Sequence, residues 1–326
     1  MPANLTPQYK KAEERHRQAK SDEDRLDALR EMLRTIPKHK GTEKMQGDIK
    51  RRISQLRKAQ GKKGPGKRPD PFNVPRSGAG QVVLVGPPNV GKSTLVAATT
   101  KAQVKVGDYP FTTAVPVPGM WQHEDVQIQL VDTPPMTAEQ PLGSLLSMVR
   151  LADVICIVVD GADNPLEQAE MILNLLSAGR LALRSVPRKG LDAAEAGYHS
   201  GLIAASKADA AAPESISALR ELYAGKLEVW PVSAASGEGL EALRRRLWEL
   251  LSVMRVYTKK RGRPPDHERP FTLQVGSTVE DLARQIHREL PGKMKYARIW
   301  GEGRFDGQQV HHGEPLNDKD IIEIHE

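Results

Sequence analysis

The chain reads as an α/β protein: a mainly parallel sheet covered by helices on both faces, with a helical segment before it and a small α+β unit after it. Three features predict this. Residues 79–255 alternate short apolar runs with helix-forming stretches, the pattern of strands joined by crossover helices. Within that region the apolar run 82–85 stops at Gly86 and turns into a helical stretch, so a tight loop joins a buried strand to a helix. Residues 1–60 keep helical spacing, whereas residues 271–326 set strand-like runs around one helix.

At the N-terminal end, Leu26, Leu29, Met32 and Leu33, then Met45, Ile49, Ile53 and Leu56, recur at three- and four-residue intervals. The stretch from Pro37 to Gly41 breaks the pattern and predicts a hairpin of two helices within residues 1–60. The net charge of +7 is concentrated here: residues 1–69 hold 20 lysines and arginines against 9 acids. Lys50, Arg51, Arg52, Arg57 and Lys58 cluster on the second helix, and two readings stay open, a solvated face or a contact surface for RNA phosphates. Residues 61–78, rich in lysine, glycine and proline, predict a flexible linker.

In the domain at 79–255, strands are expected at 82–85, 126–131, 154–160, 202–205 and 229–232, with helices over 165–177 and 240–253. Such sheets bind ligands at the carboxyl ends of their strands. Residues 255–265 read as a basic, proline-ended connector. The last domain, 256–326, is expected to hold strands at 271–273, 297–300 and 321–324 and a helix over 279–290. Aromatics are only 4% of the chain, so the core must rest on Leu, Val, Ile and Ala. The single cysteine, Cys156, lies in an apolar run, which excludes an internal disulfide and predicts a buried thiol in a reducing cytoplasm. No apolar run reaches membrane-spanning length and no hydrophobic signal segment opens the chain, so a cytoplasmic monomer without a membrane role is expected.

Chemistry concentrates at the strand ends. Gly86, Pro87, Pro88, Asn89, Val90, Gly91, Lys92, Ser93 and Thr94 follow the first strand and fit G-x-x-x-x-G-K-[ST] without a gap. Backbone amides of such a loop converge on one concavity and hold phosphate oxygens; Lys92 would reach the outer phosphates and the Ser93 hydroxyl a Mg²⁺ ion. A nucleoside triphosphate is the expected ligand. Tyr109-Pro110-Phe111-Thr112-Thr113 follows at the distance of a first switch segment, whose threonine can contact Mg²⁺ and the third phosphate. Asp132, ending a strand in Val131-Asp132-Thr133-Pro134-Pro135, sits where a Mg²⁺-linked carboxylate belongs. After another strand comes Ser206-Lys207-Ala208-Asp209, whose carboxylate can accept two N–H bonds from a guanine edge, and Ser233-Ala234 follows the fifth strand.

The ordered set GPPNVGKS, YPFTT, DTPP, SKAD and SA resembles the P-loop NTPases of translation-factor class in the Obg-like GTPase superfamily. VYTKKRGRPPD, TVEDLARQIHREL and KYARIWGEG resemble the TGS domain of the developmentally regulated GTP-binding protein family, so the resemblance covers residues 80–326. It implies GTP hydrolysis to GDP, a ubiquitin-like β-grasp tail, and association with ribosomes or RNA; nothing points to DNA. It carries over residues 86–94 as phosphate loop, Ser93, Thr113 and Asp132 as Mg²⁺ contacts, and Lys207 with Asp209 as guanine readers. Asn89 stands where K⁺-stimulated relatives ligate K⁺, a cation that would act as a fixed arginine finger beside Lys92 and Thr113.

Three departures bear on function. The family pattern DxxG ends here in Pro135, which has no N–H to give the third phosphate. Ser206 replaces an asparagine and shortens the tie to the phosphate loop. Residues 179–200 are too few for the domain that eukaryotic relatives insert there. Met136, where other GTPases position the attacking water with glutamine, implies slow turnover. Two alternatives stay open: an ATP-preferring relative, and a nucleotide-occupied RNA or ribosome adaptor with negligible turnover. His311-His312 reads as a loop pair without metal, and Tyr296 and Trp300 as core residues rather than base-stacking ones.

Overall fold

A computed structural model of the chain describes residues 6–19, 22–37, 42–61, 71–100, 115–139, 143–187 and 197–326. Outside them lie the helix break at 38–41, most of the linker, and the segment 101–114 with Tyr109, Phe111, Thr112 and Thr113. The chain divides into two compact units, Met1–Asp70 and Pro71–Glu326.

In the first unit, α1 (Pro7–Gln18), α2 (Asp22–Thr35) and α3 (Glu43–Gly61) share a small core built on Tyr9, Leu29, Met32, Ile36, Ile49 and Ile53. The expected hairpin corresponds to α2 and α3, and α1 adds a third helix. Thr6 caps it, accepting the Tyr9 amide with Pro7 at the first position. Only Tyr9 and Ala12 of α1 are buried, too few apolar positions to mark a separate helix in sequence. Lys50, Arg51 and Arg52 are exposed on α3; the side chains of Arg57 and Lys58 lie outside the described residues.

The second unit opens with β1 (Gln81–Val85), α4 (Lys92–Thr99), β2 (Val117–His123), β3 (Val126–Asp132), α5 (Gly143–Leu151), β4 (Val154–Asp160), α6 (Pro165–Ala178), β5 (Ala182–Arg184), β6 (Tyr198–Ser206), α7 (Pro213–Tyr223), β7 (Val229–Pro231) and α8 (Leu240–Leu251). Its sheet runs β2-β3-β1-β4-β6-β5, with β7 also on β6, and every pairing is parallel except β2 with β3. Alternate residues of each strand serve opposite faces. Val83, Val85, Ile155 and Ile157 pack under α5, α6 and α7, while Val82, Leu84, Cys156 and Val158 pack under α4 and α8. The strands therefore read as unbroken apolar runs, as fully buried parallel strands do. Cys156 is completely buried, and burial pushes its thiol up to about 12.

The chain then enters a second sheet: β8 (Val253–Lys259), β9 (Pro265–Gln274), α9 (Val279–Ile286), α10 (Leu290–Lys293), β10 (Tyr296–Trp300), β11 (Gln308–Val310) and β12 (Asp320–His325), in strand order β11-β10-β12-β8-β9. Central β12 pairs parallel with β8 and antiparallel with β10, and α9 covers one face. Thr278 and Asp281 cap α9 reciprocally in a capping box. Residues 255–265 are thus not a connector: most of them belong to the β8–β9 hairpin. Val253, Met254, Val256 and Tyr257 are buried strand residues, and the surrounding lysines, arginines and prolines masked them in sequence. Tyr296 and Trp300 are half-buried on the sheet face away from α9, Tyr296 stacked on His325 and Trp300 under Lys259. Ala297 and Ile299, between them, take the core positions expected of the two aromatics.

Arg255 joins the two sheets. Its guanidinium, 4% exposed, pairs with Glu124 and Asp125 in the β2–β3 turn and with Asp318 before β12. Trp248 of α8 lies under it at 5.3 Å and stacks on His123.

Candidate nucleotide site

The phosphate loop occupies the carboxyl end of β1, flanked by the ends of β3 and β4. Gly86 has no room for a side chain: a Cβ there would lie 2.2 Å from the carbonyl oxygen of Val158. Its absence lets β1 and β4 stay paired while the backbone turns. Asn89 (φ 61°) and Gly91 (φ 85°) are left-handed, which bends the loop into the start of α4. Gly91 supplies no side-chain cap, so the first-turn amides of α4 open onto the loop, the arrangement that holds phosphate oxygens.

Lys92, 6% exposed, folds back so that Nζ donates to the carbonyls of Gly86 at 2.9 Å and Pro87 at 2.7 Å. Burial lowers its pKa to about 8, with the Asp132 carboxylate opposing the shift. The Ser93 hydroxyl donates to Asp132 Oδ2 at 2.6 Å, bringing together the two oxygen groups picked out from separate motifs. A hydroxyl and a carboxylate beside a phosphate cradle are the hard donors Mg²⁺ takes, so these residues fit that ion. Thr133 anchors the strand end by donating to Leu84 O at 2.6 Å. Met136 donates its amide to Gly86 O at 3.0 Å and is wholly buried in the core under β1 and β3. Its side chain therefore packs the sheet rather than lining the phosphate loop.

On the opposite side, Ser206 ends β6. Its hydroxyl lies 2.5 Å from Val90 O in the phosphate loop and 2.9 Å from Val159 O, and its one proton can serve either. The tie expected to suffer from the loss of asparagine is present, made by a shorter side chain. Lys207 is left-handed (φ 54°) and pairs with Asp160, while Asp209 is exposed on the following turn. Ser233 is buried; its amide donates to Glu238 O and its hydroxyl accepts the Ser236 amide, which fixes the loop carrying Ala234. Val232 O accepts the Ala208 amide, so this loop supports the Ser206–Asp209 turn.

Pro87, Pro88, Asn89, Val90 and Thr94 thus line or support one loop with Lys92 and Ser93, facing Asp132 on one side and Ser206 on the other. Asn89 is exposed on it. Thr113 lies outside the described residues. Asp160 is the site residue that sequence motifs missed. An apolar strand ending in aspartate, as β3 does, was the available signal.

A strand–glycine loop–helix beside a strand-end aspartate, followed in the chain by a second small sheet, defines a P-loop nucleotide-binding fold with a small C-terminal α+β domain. Residues 81–184 match the family described as "50S ribosome-binding GTPase" and residues 254–326 the TGS domain. The developmentally-regulated GTP-binding protein 2 homolog of Dictyostelium discoideum is 30% identical over 91% of this chain and 97% of its own length. An uncharacterized GTP-binding protein of Methanocaldococcus jannaschii is 28% identical over 93% of this chain and 92% of its own length. Human developmentally-regulated GTP-binding protein 2 is 26% identical over 92% and 98%. The chain belongs to the developmentally regulated GTP-binding protein family. The Dictyostelium alignment spans 354 positions, more than the 326 residues here, so this chain is gapped against that relative.

Proposed function

We propose that this protein is a Mg²⁺-dependent GTPase of slow turnover that acts as a nucleotide switch on the ribosome or another RNA. The observation that carries the enzymatic part is the 2.6 Å contact between Ser93 and Asp132 beside the phosphate loop. Ser93, Asp132 and, from its sequence position, Thr113 would hold Mg²⁺, which when bound neutralises charge on the outer phosphates. Lys92 exchanges its two loop carbonyls for phosphate oxygens and offsets the charge that builds as water attacks the third phosphorus. The new bond is from water oxygen to phosphorus, the bond broken joins that phosphorus to the bridging oxygen, and GDP and inorganic phosphate leave. The loop amides hold the phosphates in line for this displacement. Asn89, exposed on the loop, would offer its amide oxygen to K⁺. With Met136 buried, no side chain at that position orients the water, which supports slow turnover.

Asp209 would read guanine, with Lys207 beside it. Ribosome or RNA engagement is supported by the description of the matching family and by the basic N-terminal unit. The test is hydrolysis of GTP and ATP by the full chain in KCl and in NaCl, with GDP and ADP affinities alongside. Mg²⁺-dependent, K⁺-stimulated, guanine-selective turnover is expected; equal binding of GDP and ADP would overturn the reading. A second reading, an adaptor with negligible turnover, is favoured by Pro135, which cannot donate to a third phosphate, and by the engagement of the next amide with Gly86. Ribosome pelleting that depends on the bound nucleotide while hydrolysis stays at background would select it.

A further inference from the structure

Lys207 is held by an acid that the hydrolytic scheme does not use. Its ammonium donates to Oδ2 of Asp160, the last residue of β4 and 8% exposed. The other carboxylate oxygen accepts the Ala162 amide at 3.0 Å, and the Asp160 amide donates to Gln168 Oε1 at 2.8 Å, so the carboxylate is fixed in place. Asp160 and Ser206 are register partners on neighbouring strands, and the Gly161 amide donates to Ser206 O at 2.8 Å. The turn that carries Lys207 is pinned in turn by Ala208 N to Val232 O at 3.0 Å and by Ala210 N to Lys207 O at 2.9 Å. Lys207 is therefore fixed at both ends, its backbone by the turn and its ammonium by Asp160, although its side chain is 45% exposed.

We propose that Asp160 is a positioning residue for guanine recognition: its ion pair holds the Lys207 stem in one orientation, so that the methylenes form a standing apolar wall beside Asp209. The proposal rests on the assignment of residues 206–209 as the base-reading loop. A free lysine stem has considerable rotamer freedom to lose when a base packs on it, and anchoring the ammonium removes that loss beforehand. The disposition suits such a role. The acid is buried and hydrogen-bonded, whereas Lys207 and, two residues on, Asp209 are both exposed. Ser206 being short, the loop gains from Asp160 a second anchor on its next residue.

The test uses Asp160→Asn in the full chain, which keeps the size of the side chain and removes its charge. Fluorescent GDP should bind about fivefold to tenfold more weakly, while inorganic tripolyphosphate with Mg²⁺, which engages the phosphate loop alone, binds as before. A merely structural role would weaken both ligands together. In a Lys207→Ala background the Asp160 substitution should add nothing. Unchanged or tighter GDP binding by Asp160→Asn overturns the proposal, tighter binding meaning that the pair competes with the nucleotide. If Asp160→Asn does not fold, Asp160→Glu, which displaces the charge by one carbon, carries the same comparison. Asp209→Asn separates the two levels: without a shift from GDP toward xanthosine diphosphate the base-reading assignment itself fails, whereas with that shift and a silent Asp160→Asn only the role of Asp160 fails.

Discussion

The Ser206 hydroxyl lies 2.5 Å from the carbonyl oxygen of Val90, 116 positions earlier, and so ties the Ser206–Asp209 turn, proposed to read the base, to the phosphate loop. Ser206 is 5% exposed, and removing its hydroxyl leaves a buried carbonyl without that partner. Ser206→Ala is expected to cost about 1–3 kcal/mol of stability and to weaken GDP binding about tenfold. Urea unfolding and a fluorescent-GDP titration check the two effects. Full affinity in a destabilised variant would show that the tie serves the fold alone.

How much of this was legible beforehand follows from what each residue is asked to do. The phosphate loop was legible because backbone geometry restricts residue type: Gly91 must be left-handed, and Lys92 and Ser93 follow at fixed spacing. The buried strands were legible as apolar runs. Strand β2 was not, because its burial is partial and it carries Pro118 and Gly119. The β8–β9 hairpin was hidden by its charge, since Arg255 is buried as an ion-pair hub and hydropathy alone places arginine outside. Asp160 escaped because its role lies in a partner 47 positions away, a relation no local pattern contains.

Lys92 gives the nucleotide affinity a pH dependence. In the free protein burial holds its pKa at about 8; phosphates would raise it again. Below pH 8 both states carry the proton and affinity is flat. Above it the free lysine is neutral, so binding takes up about one proton and affinity falls about tenfold per pH unit. Calorimetry at pH 7 and pH 9, in buffers of different ionisation enthalpy, should find uptake only at the higher pH. Lys92→Arg should abolish it, and equal affinities at the two values would refute the folded-back lysine.

Gly86 and Gly91 should differ although both belong to the motif. A Cβ at Gly86 meets Val158 O at 2.2 Å, whereas at Gly91 the nearest atom is Ser206 Oγ at 3.7 Å and the constraint is φ. Gly86→Ala is expected to lower stability by about 3 kcal/mol or more even without nucleotide, by prising β1 from β4. Gly91→Ala should cost about 1–2 kcal/mol. Thermal unfolding of the nucleotide-free variants separates them, and equal losses would count against the packing account of Gly86.

The Arg255 hub predicts an acid-sensitive junction. Hydrogen bonds from Arg255 and then Lys319 lower the Glu124 pKa to about 2 from 4.5. A carboxylate whose folded pKa is depressed stabilises above its unfolded value, so the junction should lose strength as pH falls from about 4.5 through 2. Glu124 is 55% exposed, so screening reduces the effect. Arg255→Met, which leaves Glu124, Asp125 and Asp318 facing one another, should cost about 3–5 kcal/mol near neutrality. Unfolding followed against pH should show a shallower acid slope for Glu124→Gln than for the natural protein, and identical slopes would exclude this cation–carboxylate cluster as the cause.

Pro135 tests which of the two functional readings holds. It stands three residues after Asp132, where the proposed function would place an N–H donor to a third phosphate, and the neighbouring Met136 amide is already committed to Gly86 O at 3.0 Å. Pro135→Gly restores a donor at a small stability cost, about 0.4–1 kcal/mol, because the unfolded chain gains freedom. One hydrogen bond to a charged oxygen is worth about 1.5–3 kcal/mol, so preference for a non-hydrolysable GTP analogue over GDP should rise at least tenfold. If hydrolysis rises in parallel, the proline is what slows a working enzyme. If discrimination improves while turnover stays at background, the chain binds nucleotide as a state marker, and its slow step lies elsewhere than in the missing amide. If neither moves, residue 135 does not face the third phosphate, and the switch must be sought in the segment around Thr113.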